Sequence, residues 1–201
     1  MTRRLERGSR LIIATHNPGK LREMQDLLRP YALDAVSAGE LGLPEPAEDA
    51  PDFAGNARIK ALTAASTGSP ALADDSGFCV SALGGAPGVL SARWAGPSKD
   101  FTAAIGRVQD EMGTVADRRA WFVSALCLAW PDGETATFIG RVDGTVAAAA
   151  RGTRGFGYDP IFIPAGTHRT YGEIDPSEKH ATSHRARAMA QLFAACLPCN
   201  R

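Results

Sequence analysis

Leu11-Ile12-Ile13-Ala14-Thr15-His16-Asn17-Pro18-Gly19-Lys20, continuing to Leu28, is the stretch on which the fold turns. Its first five residues form a short apolar run of buried-strand length. Asn17 then offers a side-chain oxygen to cap a helix, and Pro18 suits the first helical position, where no N–H is needed. Leu21, Met24, Leu27 and Leu28 mark one helical face. A strand feeding straight into a helix predicts parallel pairing with a later strand.

Working outward, Glu40 to Pro51 is acidic and proline-rich, hence a loop, and Asp52 can cap a second helix carrying Phe53, Ile59 and Leu62. Ala71-Leu72-Ala73 reads as a strand that ends in turn chemistry at Asp74-Asp75-Ser76-Gly77, with Phe78 to Leu83 resuming a strand. Gly84 to Gly88 is loop. Asp100 caps a helix with Phe101, Ile105, Val108 and Met112 along one side. Trp121 to Trp130 and Thr135 to Val142 form a hairpin about Pro131-Asp132-Gly133, which implies antiparallel pairing. Met189, Leu192, Phe193, Cys196 and Leu197 end the chain on a helical face. The expectation is one α/β domain over residues 1–201 with a mixed sheet flanked by helices, residues 1–9 forming a flexible N-terminal extension.

Composition narrows the function. Twenty-two basic residues balance 22 acidic ones, so no general polyanion-binding face is expected. A small phosphorylated ligand needs only a few local cations. The basic start is followed by four apolar residues, too few for a signal-peptide core, and no stretch approaches membrane-spanning length. Cys79 and Cys127 lie in apolar runs and read as small buried hydrophobes. Cys196-Leu197-Pro198-Cys199 is a lone pair without the second pair a zinc site needs. The compartment expected is the cytoplasm.

Four constellations could carry chemistry. Thr15, His16, Asn17, Pro18, Gly19 and Lys20 join a strand to a helix, whose start can hold an anion with Lys20 adding charge. The same residues also describe an ordinary capped helix with an exposed Lys. It is not a Walker A loop: Ala14 and Leu21 stand where that pattern needs Gly and Ser or Thr. Asp74 and Asp75 are adjacent carboxylates that repel each other unless a cation or donors compensate. A carboxylate there can hold Mg²⁺ and activate a water, although Asp, Ser76 and Gly77 are equally favoured turn residues.

Phe156 and Tyr158, separated by Gly157, either pack inward or stack on a flat ligand, and Asp159 can accept from a base or ribose. Lys179 and Arg185 lie six positions apart, about 120° around a continuous helix. They converge only if the helix breaks, and Ser183 could cap a fresh segment. His180 and His184 have zinc-like spacing, but Ala181 occupies the position where a zinc protease carries Glu.

In order, ATHNPGK (14–20), ADDSG with LGGAPGVLSARWAG (73–77, 83–96), RGTRGFGYDPIF (151–162) and EKHATSHRARA (178–188) resemble the inosine triphosphate pyrophosphatase family over Leu11 to Arg187. The resemblance implies an elongated mixed sheet, two lobes with an active-site cleft between them, a homodimer and Mg²⁺ dependence. It implies hydrolysis of ITP, dITP and XTP to the monophosphate and pyrophosphate. Carried over, Thr15 to Lys20 bind the triphosphate, and Asp75 is proton acceptor and metal ligand with Ser76 beside the nucleotide. Phe156, Gly157, Tyr158 and Asp159 hold base and sugar, Lys179 contacts substrate, and His184 and Arg185 approach the purine 6-oxygen. Family members often carry two consecutive Glu where this chain has Ala47-Glu48-Asp49, and Glu where it has Gly55. Glu48 is therefore the candidate second metal ligand. The competing readings are a purine-nucleotide-binding regulator without turnover and a pyrophosphatase for modified pyrimidines.

Overall fold

A computed structural model of the protein describes residues 3–197. In chain order it contains β1 (Arg10–Ile13), α1 (Pro18–Leu28), β2 (Asp34–Ser37), α2 (Phe53–Ala65), β3 (Ala71–Val80), α3 (Ser91–Trp94), α4 (Phe101–Met112), β4 (Arg119–Ala129), β5 (Thr135–Val146), β6 (Phe162–Pro164), α5 (Pro176–Thr182) and α6 (His184–Cys196). The strands form one six-stranded sheet in the order β2-β1-β3-β4-β5-β6. β1 pairs parallel with β2 and β3, while β5 and β6 are antiparallel. The sheet is mixed, as strand–helix alternation followed by a hairpin requires.

The described chain gathers into two compact units. One comprises the residues up to Asp75, Ser124–Gly140 and the residues from Arg185 onward; the other comprises Ser76–Val123 and Arg141–His184. The first unit is layered. Leu11, Ile13 and Leu72 pack with Met24 and Leu28 of α1 and with Met189 and Leu192 of α6. Ile12, Ala14, Ala71 and Ala73 pack instead with Ala57, Ala61 and Ala64 of α2. Since side chains alternate along a strand, α1 and α6 cover one face and α2 the other. The second unit is built round an aromatic core of Phe78, Phe122, Tyr158, Phe162 and Tyr171, closed by Ile105, Val108 and Met112 of α4.

Two expectations change. β3 does not stop at Asp74 but runs unbroken to Val80, buried almost throughout. Tertiary partners for the two carboxylates override the local turn preference. Residues 3–9 of the expected extension are tied down: Leu5 is buried, and its N–H donates to the Cys196 carbonyl at 2.7 Å. Arg3 adds an ion pair to Asp132. The break considered at Ser183 occurs: this residue is extended (φ −65°, ψ 161°) between α5 and α6. Cys196 is buried without a disulfide, and Cys199 lies outside the described residues. Among those residues no helix is long and apolar enough to cross a membrane.

Candidate active site

The strand–helix junction folds as its sequence dictates. Asn17 Oδ1 accepts from the N–H groups of Gly19 (2.9 Å) and Lys20 (3.2 Å), and Thr15 Oγ1 accepts from the Asn17 N–H. The cap therefore uses amides that an anion would otherwise claim. His16 is exposed, with Nε2 donating to the Leu43 carbonyl at 3.0 Å, and this contact fixes the ring's tautomer. Pro18 only starts the helix.

Alternation along β3 separates its two carboxylates. Asp74 lies on the face of Leu72, toward α1 and α6, and Asp75 lies on the face of Ala73, toward α2. Their direct partners differ, Lys20 and Arg185 on Asp74 and Lys60 on Asp75, while the charge of Lys20 reaches both carboxylates.

Asp74 is almost wholly buried. Its Oδ2 is 3.0 Å from Lys20 Nζ and 3.0 Å from an Arg185 guanidinium nitrogen, and its Oδ1 accepts from Ser124 Oγ. Burial acts to raise its carboxyl, but Arg185, Lys20 and Ser124 outweigh it and hold the group well below the usual carboxylate range. Arg185 is itself buried and ion-paired to Glu23 of α1 as well. Its guanidinium is thus enclosed by two carboxylates rather than turned to an open edge.

Asp75 is 5% exposed, and its Oδ1 accepts from Lys60 Nζ at 2.9 Å. Among the described residues nothing donates to its buried Oδ2. Burial pushes this carboxyl up, only partly opposed by Lys60 and Lys20. Lys60 also binds Glu48 at 2.7 Å, so one ammonium joins the two carboxylates expected to hold metal. Burial acts to lower that ammonium's affinity for its proton, and the two carboxylates reverse the shift upward. The Asn56 side chain accepts from the Ala50 N–H at 3.0 Å and ties the acidic loop to α2.

Sequence reasoning missed Lys60 and Glu23. A signal for Lys60 existed: with Asn56 it places two polar residues four apart on the alanine face of α2. Glu23 gave only its spacing of three from Lys20.

The other expected residues lie in the second unit. Ser76 is half-buried on β3. Tyr158 closes the core: its ring stacks on Phe78 at 5.1 Å, and its hydroxyl donates to the Ser91 carbonyl. Phe156 is partly open, with Lys179 Nζ 4.6 Å from its ring centre. Asp159, buried, accepts from Lys179 at 2.7 Å and from the Phe156 N–H at 2.8 Å. Gly155 at φ +75° brings the loop within reach, since a Cβ there would lie 2.1 Å from Asp159 Oδ2. Gly157 is likewise left-handed. His184 is buried and stacks on Phe122 with centroids 4.9 Å apart. After the break at Ser183, Lys179 pairs with Asp159 and Arg185 with Asp74 and Glu23.

The described residues contain no group of three or more His, Cys, Asp or Glu side chains ready to cage a metal. Magnesium asks for less: one or two carboxylates, with water and phosphate oxygens completing its shell. Asp75 and Glu48, joined through Lys60, supply two carboxylates that fit that demand.

Comparison with known proteins gives the family and its relatives. A family model described as the Ham1 family matches residues 11–195. A Gluconobacter oxydans (strain 621H) protein named dITP/XTP pyrophosphatase is 56% identical over 198 residues, covering 98% of this chain and 95% of that protein. A HAM1 protein from Coxiella burnetii superposes with TM-score 0.86 at 39% identity, covering 92% and 97% of the two chains. A nucleoside-triphosphatase, or dITP/XTP pyrophosphatase, from Mycobacterium abscessus ATCC 19977 gives TM-score 0.76 at 40% identity, with 92% and 98% covered.

Proposed function

The chain belongs to the Ham1 family, and on that premise we propose that it hydrolyses ITP, dITP and XTP to the monophosphate and pyrophosphate at the Asp75 cluster. The observation that carries this reading is the buried Asp75 carboxylate, neutralised on Oδ1 by Lys60 and unbonded at Oδ2. A base that must take a proton from water needs such an oxygen, and its upward-shifted carboxyl suits the task.

In this mechanism water forms a bond to phosphorus while the bond to pyrophosphate breaks, and the water's proton passes to Asp75 Oδ2. Lys20 and Lys60 offset charge gathering on the phosphate oxygens. Thr15 and Lys20 are the junction's side-chain contribution to triphosphate binding, with Ser76 alongside. Mg²⁺, held by Asp75 and Glu48, would withdraw charge from the phosphate and acidify bound water. Phe156 is the aromatic available to stack on a base, with Asp159 and Lys179 as its polar neighbours. Discrimination at the purine 6-oxygen is assigned to His184 and Arg185, whose guanidinium is held by Asp74 and Glu23. A cytoplasmic homodimer acting on free nucleotides, not on nucleic acid or membrane, completes the reading; zero net charge supports only the part about nucleic acid.

The test is pyrophosphate release from ITP, XTP, GTP and dUTP, with and without Mg²⁺. Turnover of ITP and XTP but not of dUTP or GTP is expected. Asp75→Asn should lower the rate by about 10²-fold or more while leaving the fold intact. A variant that keeps a tenth of the wild-type rate removes Asp75 as the base.

A further inference from the structure

Resting on that reading of the Asp75 cluster, we propose that Lys60 is an internal cation that occupies the metal's carboxylates and makes metal loading depend on a phosphate ligand. One ammonium lies 2.9 Å from Asp75 and 2.7 Å from Glu48, with its side chain only 7% exposed. A divalent cation bound to the same two carboxylates would lie within a few ångströms of that positive charge, in surroundings that screen it poorly. Metal and Lys60 therefore compete for Glu48 and for Asp75 Oδ1.

Asp75 Oδ2 makes the competition unequal. It is buried and has no donor among the described residues, so Lys60 satisfies only half of the carboxylate. The cluster is left able to accept a second positive charge once the ammonium is drawn aside. Lys60 also lines a hollow with His16, Leu43 and Thr63. A polyphosphate supplies what draws it: an anion that pairs with the ammonium while contributing oxygens to the metal. Metal and polyphosphate should then bind with positive coupling, each raising the affinity of the other by the same factor.

The experiment measures Mn²⁺ binding by electron paramagnetic resonance of the free ion. It uses wild type, Lys60→Met and Lys60→Arg, each with and without inorganic pyrophosphate or α,β-imido-ITP. In wild type the phosphate ligand should tighten metal binding by at least about tenfold. Lys60→Met should bind Mn²⁺ alone about tenfold more tightly than wild type, with the gain from phosphate reduced to a few-fold. Lys60→Arg, which keeps the charge, should bind Mn²⁺ alone no better than wild type. Circular dichroism establishes folding for each variant. If Lys60→Met does not fold, the wild-type coupling decides alone: independent binding of metal and phosphate overturns the proposal. It is equally overturned if Lys60→Met folds and binds Mn²⁺ no more tightly. Failure of the pyrophosphatase reading would look different, as wild type releasing no pyrophosphate from ITP whatever its metal affinity.

Discussion

At Lys20 and Arg185 the two cations on Asp74 divide their work. Lys20 keeps 15% of its side chain exposed and can still meet a ligand, while Arg185 is enclosed. Lys20→Ala should weaken ITP by about 1.5–3 kcal/mol, the cost of one charge-assisted contact, and leave inosine unchanged. Equilibrium binding of both ligands checks this, and equal weakening would remove Lys20 from the phosphate. Arg185→Ala leaves Asp74 and Glu23 buried without their shared cation. It should destabilise the fold by about 3–5 kcal/mol in urea unfolding, and Arg185→Lys should recover only part, because an ammonium lacks the planar fork. A loss below about 1 kcal/mol would show that the pairs are not needed for folding.

Elements then set which side chains can cooperate. β3 sends Asp74 to α1 and α6 and Asp75 to α2, and α2 returns Lys60 to Asp75 while Asn56 anchors the loop carrying Glu48. Gly55 lets that loop close, since a Cβ there would lie 2.5 Å from Ala50 Cβ. Gly55→Ala should therefore push the loop outward and raise the Mg²⁺ concentration for half-maximal activity by about tenfold, with kcat at saturating Mg²⁺ little changed. An unaltered Mg²⁺ dependence would mean that Glu48 needs no support from α2. The caps at Asn17, Asp52 and Asp100 were legible because each is a contact within three residues. The course of β3 through Asp74 to Gly77 was not, because its stability comes from Lys20, Lys60 and Arg185, remote in the chain.

For the whole molecule, burial makes Cys79, Cys127 and Cys196 unreactive. The thiols of Cys79 and Cys196 are each pushed up to about 11, chiefly by burial, and Cys127 is also raised. Thiolate forms only as pH rises toward those values, so at pH 7 its fraction is about 100-fold below that of an unperturbed cysteine. Native Cys199→Ser protein should react slowly with a disulfide reagent at pH 7, faster as pH rises, and completely once unfolded; rapid reaction of one equivalent at pH 7 would contradict this. Sequence alone determined the α/β class, the mixed sheet and the capped helices, because these come from local periodicity and short-range hydrogen bonding. Only the tertiary structure decided that Asp74 and Asp75 face opposite ways, that Lys60 rather than Asp74 accompanies Asp75, and that Arg185 is engaged by Glu23 and Asp74. Those outcomes depend on charges brought together from up to 162 residues apart, and a buried charge takes whichever opposite charge the packing delivers.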